Sequence, residues 1–223
     1  MAGDLTMSVK ETSAYPETGW GMPFRYFWDS TVEVINLAMN GRSTKSFIAE
    51  GRWDKLIARV REGDYVFIEF GHNDEAKEKA ERYASPEQYR TNLTRFISET
   101  RTRKAIPVLL TPVSRRQFDS AGSVKQTHPV YSPIVRKLAA SMSVTLIDLD
   151  ELTRALYAKA GPEGSRLYFL QLKPGEHPNY PSGKDDNTHF NELGARLVAQ
   201  EVLAALRAGP LALKDHIIKS GRP

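Results

Sequence analysis

The sequence predicts an α/β protein in which a parallel sheet lies between two layers of helices. Short runs rich in β-branched and aromatic residues alternate with longer segments of helical periodicity, which is the pattern of β-α-β units. Two of the short runs, residues 65–70 and 107–110, are almost continuously apolar, as expected for strands covered on both faces. A chain of 223 residues is long enough for one sizeable core. We assign residues 1–208 to a single domain and residues 209–223 to a C-terminal tail.

The predicted strands are short runs that end near turn or polar residues: Val32–Leu37, Tyr65–Phe70, Ile106–Thr111 and Val144–Leu149. The predicted helices carry an apolar stripe: Ser43–Arg61 with an interruption at Gly51, Ser85–Arg103, Pro133–Met142, Leu149–Ala160 and Asn191–Ala208. The helix that begins after Ser85 is the clearest, because Pro86 suits its first position and Gln88 completes a capping box. Residues 161–184 are too many for a simple connection, and loops of that length in a compact domain are usually functional or mobile. This segment leads to the polar residues around Asp186.

Composition excludes several functional classes. The absence of cysteine removes disulfides, thiolate metal sites and a cysteine nucleophile. The net charge of +4 is mild and the basic residues are scattered, so no nucleic-acid partner is expected. No apolar run is long enough to span a bilayer, and neither a P-loop nor a dinucleotide-binding glycine motif occurs. The sequence as given predicts a cytoplasmic protein, and a leader removed upstream would instead make it a secreted one. The sequence does not determine the oligomeric state.

The strongest chemical signal is Asp186 three residues before His189, in a predicted polar loop ahead of the last predicted helix. In acyl transfer a histidine moves a proton between nucleophile and leaving group, while a carboxylate fixes its tautomer. The three-residue spacing lets the carboxylate fold back onto the ring. An alternative stays open, in which Asp186 and Asn187 cap the helix and His189 is a residue of its first turn.

Two loops that follow predicted strands offer hydrogen-bond donors. Asn73 comes after the strand that ends at Phe70, at the carboxyl end where open α/β sheets place their sites. Its amide can donate to an oxyanion, a contact worth roughly 3–4 kcal/mol in the transition state. Gly41 follows Val32–Leu37, where a glycine lets a backbone N–H approach a ligand closely. The alternatives are an Asx turn at Asn73 and a turn glycine at Gly41.

Other residues are weaker candidates. Trp20, between two glycines, suits either stacking on a sugar in a cleft or packing in the core. His72 reads as a structural hydrogen-bonding residue. Three histidines have neither the spacing of metal ligands nor a partnered carboxylate, and they read as surface or loop residues: His128, His177 and His216. Metal ligation by His72, Asp74 and His189 stays open, although no helical pair of histidine ligands occurs.

In combination these residues resemble the SGNH (GDSL-type) hydrolase superfamily. The motifs occur in the family's order: Gly3-Asp4, Gly41 within residues 36–43, Asn73 within residues 71–74, and Asp186 with His189. Three strings are similar to the rhamnogalacturonan acetylesterase group of carbohydrate esterases: Gly19-Trp20-Gly21, Asn40-Gly41-Arg42-Ser43 and residues 184–190.

The resemblance implies a three-layer α/β/α sandwich with a five-stranded parallel, flavodoxin-like sheet. It implies deacetylation of a pectic or related polysaccharide without metal or cofactor. His189 would be the base and Asp186 its orienter. Gly41, Asn73 and the backbone N–H of Leu5 would form the oxyanion hole. Trp20 and Asn40 would contact the acetylated carbohydrate.

The chain departs from the family pattern at the nucleophile. The family's serine falls on Leu5, which has no proton to give up and cannot form an acyl-enzyme. Losing such a nucleophile costs about a millionfold in turnover. Thr6 and Ser8 are nearby hydroxyls, but a shift of one residue in a turn redirects the side chain, so neither is expected to replace it.

A second departure concerns the first strand, which in the family would precede Gly3, where only Met1 and Ala2 stand. We therefore expect a truncated first strand and unpaired backbone groups in the middle of the sheet, each costing about 1–3 kcal/mol if buried. Ile217 and Ile218 in the tail are the alternative candidates for that place.

These observations predict a carbohydrate O-acetylesterase scaffold whose Leu5 form is inactive or severely impaired. Two alternatives stay open. One is a glycan-binding protein that uses the same cleft without catalysis. The other is a related esterase of lipids or thioesters.

Overall fold

The structure, a computed structural model that describes residues 1–219, is built on a parallel sheet. Its strands are β1 (Ala2–Gly3), β2 (Tyr65–Glu69), β3 (Ile106–Leu110) and β4 (Thr145–Ile147), in the order β1-β2-β3-β4. All pairings in this sheet are parallel. The predicted strands beginning near 65, 106 and 144 are confirmed.

Alternate residues of the strands enter two separate apolar cores, one on each face of the sheet. Phe67, Val108 and Leu110 pack with α1 (Gly21–Phe24), α6 (Leu149–Gly164) and α7 (Glu192–Ala208). Val66, Ile68 and Leu109 pack on the other face, with α2 (Thr44–Ala49), α3 (Arg52–Ile57), α4 (Pro86–Thr102) and α5 (Tyr131–Ser141). Because the period of a strand is two, an apolar strand supplies both cores at once. The predicted three-layer α/β/α sandwich is confirmed.

The first strand is present as two residues and is paired on both sides. Ala2 lies opposite Ile68, and Gly3 opposite Glu69. On its other side, the Met1 amino group donates to the carbonyl of Ile35 (2.7 Å). The N–H groups of Leu37 and Met39 donate to the carbonyls of Met1 and Gly3, both at 3.0 Å.

The even two-residue spacing of these bonds is that of a parallel ladder. The predicted strand Val32–Leu37 thus runs beside β1 without being a regular strand, which gives the flavodoxin-like order of chain segments. The prediction of unpaired backbone groups beside the first strand is therefore wrong for Met1 to Gly3, which are paired on both sides. Ile217 does not fill it either, because it bridges to Trp28 in an antiparallel pair.

The helix boundaries follow local signals. Gly51, with φ +65°, separates α2 from α3 where the interruption was predicted. Ser85 Oγ accepts from the N–H of Gln88, and Pro86 is the first residue of α4. Asn191 caps α7 by accepting from the N–H of Gly194. These caps remove orphan donors at the start of each helix.

The segment 161–184 contains structure that the sequence did not indicate. After a 3₁₀ turn (Ser165–Tyr168), β5 (Phe169–Leu172) pairs antiparallel with β6 (Lys184–Phe190). Asp186 and His189 lie on β6. The expectation that they occupy a loop is therefore wrong.

The chain beyond α7 packs against the body of the protein. Residues 212–216 form a 3₁₀ helix, and Leu213 and Ile217 are buried in the core beside α7. Residues 220–223 of the predicted tail lie outside the described residues. The division at residue 208 stays a prediction. None of the described helices combines the length and apolar character that crossing a membrane requires.

Candidate active site

Asp186 and His189 form a hydrogen-bonded pair on β6. Nδ1 of His189 donates to Oδ2 of Asp186 (2.8 Å). The other carboxylate oxygen accepts from the backbone N–H groups of Thr188 (2.8 Å) and His189 (2.9 Å). Burial alone would raise the pKa of Asp186, but the bond and charge of His189 and these N–H groups lower the pKa to about 2. The ionised carboxylate fixes the proton on Nδ1 and leaves Nε2 as the basic atom.

The capping alternative for this pair does not fit the structure. The cap of α7 is Asn191, five residues after Asp186 and outside β6. Asp186 instead directs its oxygens to the imidazole and to the backbone of its own strand. The side chain of His189 is 28 % exposed, so its free nitrogen can be approached from solvent.

Leu5 lies in the turn that follows β1 at the carboxyl end of the sheet. Its side chain is only 7 % exposed and belongs to neither apolar core. Its carbonyl accepts from Ser8 Oγ (3.2 Å). Its backbone N–H takes part in none of the hydrogen bonds found in residues 1–219. The turn therefore offers a backbone donor but no reactive side chain.

The two neighbouring hydroxyl groups are buried and engaged elsewhere. Thr6 Oγ1 lies 2.6 Å from Oε1 of Glu69 and 3.2 Å from Oδ1 of Asp4. Ser8 is fully buried and bonds to Leu5. Both hydroxyls are therefore already engaged in buried contacts, and neither contacts His189 through a hydrogen bond found in residues 1–219.

Residues 18–20 tie this turn to the end of β6. The N–H of Trp20 donates to the carbonyl of Thr6 (2.8 Å), and the N–H of Thr18 donates to the carbonyl of Phe190 (2.9 Å), next to His189. Gly19, between them, lies so close to Ser8 that a Cβ atom would overlap the Ser8 carbonyl oxygen. The Leu5 turn and the His189 strand are thereby held side by side.

A buried ion pair that sequence reasoning missed lies beside His189. Lys10 Nζ is 2.6 Å from Glu17 Oε1, and the two side chains are 4 % and 12 % exposed. The same Glu17 oxygen is 3.9 Å from Nε2 of His189. Burial lowers the pKa of Lys10, against the charges of Glu17, Asp4 and Asp186. No periodicity signals this pair, because its members come from a loop without regular structure.

The Gly41 and Asn73 loops meet beside the Leu5 turn. Asn73 Nδ2 donates to the carbonyl of Arg42 (3.0 Å), and Asn73 Oδ1 accepts from Arg82 Nη1 (2.8 Å). Arg82 Nη1 also donates to the carbonyl of Gly41 (3.3 Å). An amide carries two donor hydrogens, so one remains on Asn73 for another acceptor. The Asx-turn alternative is therefore not needed to explain this residue.

Gly41 has the conformation that its loop position requires. Its φ is +75°, in the left-handed region that favours glycine. Its backbone N–H, like that of Leu5, makes none of the hydrogen bonds found in the described chain. Both loops are joined to the first strand and its turn, through Met39 to Gly3 and through the N–H of His72 to Oδ2 of Asp4 (3.2 Å).

A fully buried polar cluster, the Asp4 cluster, lies next to the Leu5 turn and consists of Asp4, Glu69 and His72. Burial and the nearby charge of Asp4 raise the pKa of Glu69 to about 8. Burial also lowers the pKa of His72 to about 4. For Asp4, burial would raise the pKa, but His72 and the N–H of Thr6 hold it below its usual value. At neutral pH we therefore expect a protonated Glu69, a neutral His72 and an ionised Asp4.

The metal alternative of the sequence finds no support in the geometry. Within the described residues, His72, Asp74 and His189 do not bring ligand atoms within 4.8 Å of one another, whereas Asp4, Glu69 and His72 do. Asp74 instead accepts from the N–H and hydroxyl of Thr44. The acids of the Asp4 cluster already accept hydrogen bonds from the protein.

His128 lies in a loop, as one of the two expectations had it, but it is fully buried and does not lie at the surface. Its Nδ1 lies 3.1 Å from Glu75, its Nε2 lies 2.9 Å from the carbonyl of Val113, and its ring contacts that of His72. His216 also has a carboxylate partner, Asp29. Both partners are far away in the sequence, which is why sequence distance was a poor guide.

The expectation that Trp20 contacts substrate is wrong. Its side chain is fully buried, its Nε1 donates to Oε2 of Glu69 (3.0 Å), and its ring packs edge-on against Phe24. The core alternative is the correct one. Asn40 is exposed beside Gly41, and its role in substrate binding stays a prediction.

The chain matches the GDSL-like Lipase/Acylhydrolase family over residues 12–197. It is 40 % identical over 218 residues to the rhamnogalacturonan acetylesterase RhgT of Bacillus subtilis, covering 98 % of this chain and 93 % of that protein. A second relative from Bacillus subtilis, the probable rhamnogalacturonan acetylesterase YesY, is 33 % identical over 98 % of this chain and 96 % of its own.

Among solved structures, protein YXIM of Bacillus subtilis superposes with a TM-score of 0.81 at 24 % identity. That match covers 95 % of this chain but 56 % of the other, so the chain spans about half the length of that protein. The likeness agrees with the fold described above. The chain belongs to the GDSL-like lipase/acylhydrolase family, the SGNH hydrolases, and is related to the rhamnogalacturonan acetylesterases.

Proposed function

We propose that this protein is a carbohydrate O-acetylesterase scaffold for acetylated pectic or related polysaccharides, and that its Leu5 form is inactive or severely impaired. The observation that carries the proposal is the 2.8 Å bond from His189 Nδ1 to an ionised Asp186. The names of the 40 % and 33 % identical relatives supply the substrate class.

The proposed chemistry assigns one role to each part of the site. With a serine at position 5, Nε2 of His189 would accept the hydroxyl proton as the oxygen attacks the acetyl carbon. Asp186 would stabilise the imidazolium that results. The N–H groups of positions 5 and 41 and the remaining amide hydrogen of Asn73 would donate to the oxyanion. As the bond between the acetyl carbon and the sugar oxygen breaks, His189 would give the proton to that oxygen. A water molecule, deprotonated by His189, would then attack the acetyl-enzyme, and acetate would leave as the serine takes the proton back.

Leu5 interrupts this sequence at its first step. A leucine supplies neither the attacking oxygen nor the proton, so no acyl-enzyme forms. The base and the oxyanion donors do not depend on the side chain at position 5. We therefore expect that replacing this one residue restores turnover.

The test is Leu5→Ser, assayed for hydrolysis of an aryl acetate and for labelling by a fluorophosphonate. We expect turnover to rise by several orders of magnitude, up to about the millionfold that a nucleophile is worth. The matched controls are Leu5→Ala, which removes the bulk without adding a nucleophile, and Leu5→Ser combined with His189→Ala. A folded Leu5→Ser protein that neither hydrolyses nor is labelled would end the proposal.

A second candidate is a glycan-binding protein without catalysis. It is favoured by the burial of Leu5 at the nucleophile position beside an otherwise intact set of donors. This candidate predicts that the Leu5 protein binds acetylated pectic oligosaccharides in a calorimetric titration. If the Leu5→Ser protein binds them and the Leu5 protein does not, the second candidate is wrong.

A further inference from the structure

Glu17 lies beside the nitrogen of His189 that must stay free for the proposed reaction. Its Oε1 is 3.9 Å from Nε2 of His189. Nδ1 on the other side of the ring is bonded to Asp186, and Nε2 makes none of the hydrogen bonds found in the part of the chain that the structure describes. A shift of about 1 Å would bring the Glu17 carboxylate within hydrogen-bond distance of Nε2.

Lys10 keeps the Glu17 carboxylate away from the ring. Its Nζ lies 2.6 Å from the same oxygen, Oε1 of Glu17. Apart from this ion pair, neither Lys10 Nζ nor Glu17 Oε1 has a hydrogen-bond partner among residues 1–219. The Lys10 side chain is only 4 % exposed, so water has little access to take its place. The ammonium and the imidazole are therefore the two groups that compete for this carboxylate.

The backbones on both sides of the ion pair are fixed. The N–H of Thr18, the residue after Glu17, donates to the carbonyl of Phe190 (2.9 Å) at the end of β6. The N–H of Lys10 donates to Sδ of Met22 (3.4 Å). Because neither backbone is free to move, the side-chain torsions of Glu17 decide whether its carboxylate lies on the ammonium or on the imidazole.

A carboxylate bonded to Nε2 would block the base. A serine hydroxyl at position 5 gives its proton to Nε2 as it attacks, so Nε2 must be bare at that moment. With Glu17 bonded to it, Nε2 already carries a proton, and the imidazolium lies between two carboxylates. Burial lowers the pKa of Lys10, and the charge and bond of Glu17 oppose this most strongly, so each member of the ion pair stabilises the charge of the other.

We propose that Lys10 is a positioning residue for the base: its ammonium binds Glu17 and thereby keeps the Glu17 carboxylate off Nε2 of His189. The inference rests on the proposed function, in which His189 is the base. It assigns no contact with substrate to Lys10 or Glu17. A merely structural role of the ion pair makes a different prediction, because the loss on removing Lys10 would then persist when Glu17 is removed as well.

The first test measures kcat and KM on an aryl acetate in the Leu5→Ser background. We expect Lys10→Met to lower kcat about ten- to a hundredfold with little change in KM, because the charge-assisted bond of Glu17 must break before Nε2 accepts a proton. Adding Glu17→Leu should restore kcat to within about threefold of the Leu5→Ser protein, since nothing then competes for Nε2. The control Lys104→Met removes the exposed ion pair with Glu62 and should leave kcat unchanged.

The second test does not depend on turnover. In the Leu5 protein with nitrogen-15-labelled histidine, long-range proton–nitrogen correlation spectra recorded above neutral pH report which ring nitrogens carry a proton. We expect a bare Nε2 of His189 in the unaltered protein and a proton on both ring nitrogens in Lys10→Met. The variant Lys10→Met with Glu17→Leu should show the bare Nε2 again. Circular dichroism verifies that each variant is folded.

A Lys10→Met protein with the kcat of its parent would overturn the proposal, and so would a folded double variant that is as slow as Lys10→Met. If Leu5→Ser itself shows no turnover, the proposed function fails, and the spectra decide the role of Lys10. Identical ring signals of His189 in the unaltered protein and in Lys10→Met would then overturn it. If Lys10→Met does not fold, Lys10→Gln takes its place with the same expected pattern, because it removes the charge but keeps a polar end.

Discussion

Replacing Glu69 by glutamine tests the protonation state of the cluster beneath the Leu5 turn. Burial and the charge of Asp4 raise the pKa of Glu69 from its usual 4.5 to about 8. A protonated Glu69 can donate to Thr6 Oγ1, which in turn donates to Asp4, while its second oxygen accepts from Trp20. A glutamine amide reproduces both contacts, since its NH₂ donates to Thr6 and its oxygen accepts from Trp20.

The pH dependence has a definite sign. Because the folded pKa lies above the unfolded one, the stabilisation linked to this proton is fully present below pH 4.5 and is lost as pH rises through about 8. Each pH unit in that window costs the unaltered protein about 1.4 kcal/mol, on the order of 5 kcal/mol in total. The Glu69→Gln protein does not release this proton and escapes the loss.

The measurement is urea unfolding of both proteins at several pH values from 5 to 9. We expect similar free energies of unfolding near pH 5 and a Glu69→Gln protein that is more stable by several kcal/mol at pH 9. The control Glu69→Leu leaves Thr6 and Trp20 without their partner and should be destabilised at every pH, by about 1–3 kcal/mol for each polar group left unpaired. A constant difference between the glutamine variant and the unaltered protein across the range would refute the reasoning.

Two further predictions concern the candidate active site. In Asp186→Asn we expect a loss of about 2 kcal/mol in the free energy of unfolding at pH 7, because the pKa of Asp186 is lowered from 3.8 to about 2. The stabilisation by ionised Asp186 is present above pH 3.8 and is lost as pH falls through 2. The difference in the free energy of unfolding between the unaltered protein and Asp186→Asn should therefore be about 1 kcal/mol smaller at pH 3 than at pH 7. If urea unfolding gives the same difference at both pH values, the lowered pKa of Asp186 is contradicted. In the Leu5→Ser background, Arg82→Met should lower kcat about ten- to a hundredfold with little change in KM, because Arg82 positions both Asn73 and the Gly41 carbonyl. Arg82→Lys should recover part of the loss, and equal kcat for all three proteins would show that Arg82 has no positioning role.

Local signals predicted most of the fold. The apolar runs of β2 and β3 and the Ser85-Pro86 start of α4 depend on neighbouring residues, and the structure confirms them. The hairpin of β5 and β6 could not be found in this way. Residues 184–190 are polar and poor in β-formers, and they are a strand because β5 pairs with them.

The site was partly accessible from sequence for the same reason. Asp186 and His189 are three residues apart, so their contact is local. Glu17 and His189 are 172 residues apart, and only the fold brings them to 3.9 Å. For Trp20 the local sequence left a cleft role and core packing both open, because its partner, Glu69, lies on a distant strand. The roles of Asp186, His189, Gly41 and Asn73 in turnover stay predictions.

Gly19 has a consequence for how this scaffold can change. Only a hydrogen atom fits between the Cα of Gly19 and the Ser8 carbonyl oxygen, and the neighbouring Thr18 is hydrogen-bonded to Phe190 at the end of β6. Any larger residue there would act as a wedge and increase the separation between position 5 and the imidazole, even with every reacting group still present. A serine at position 5 therefore requires that Gly19 be kept if activity is to return. A protein with the serine but without the glycine would be inactive, because position 5 and the imidazole would lie too far apart.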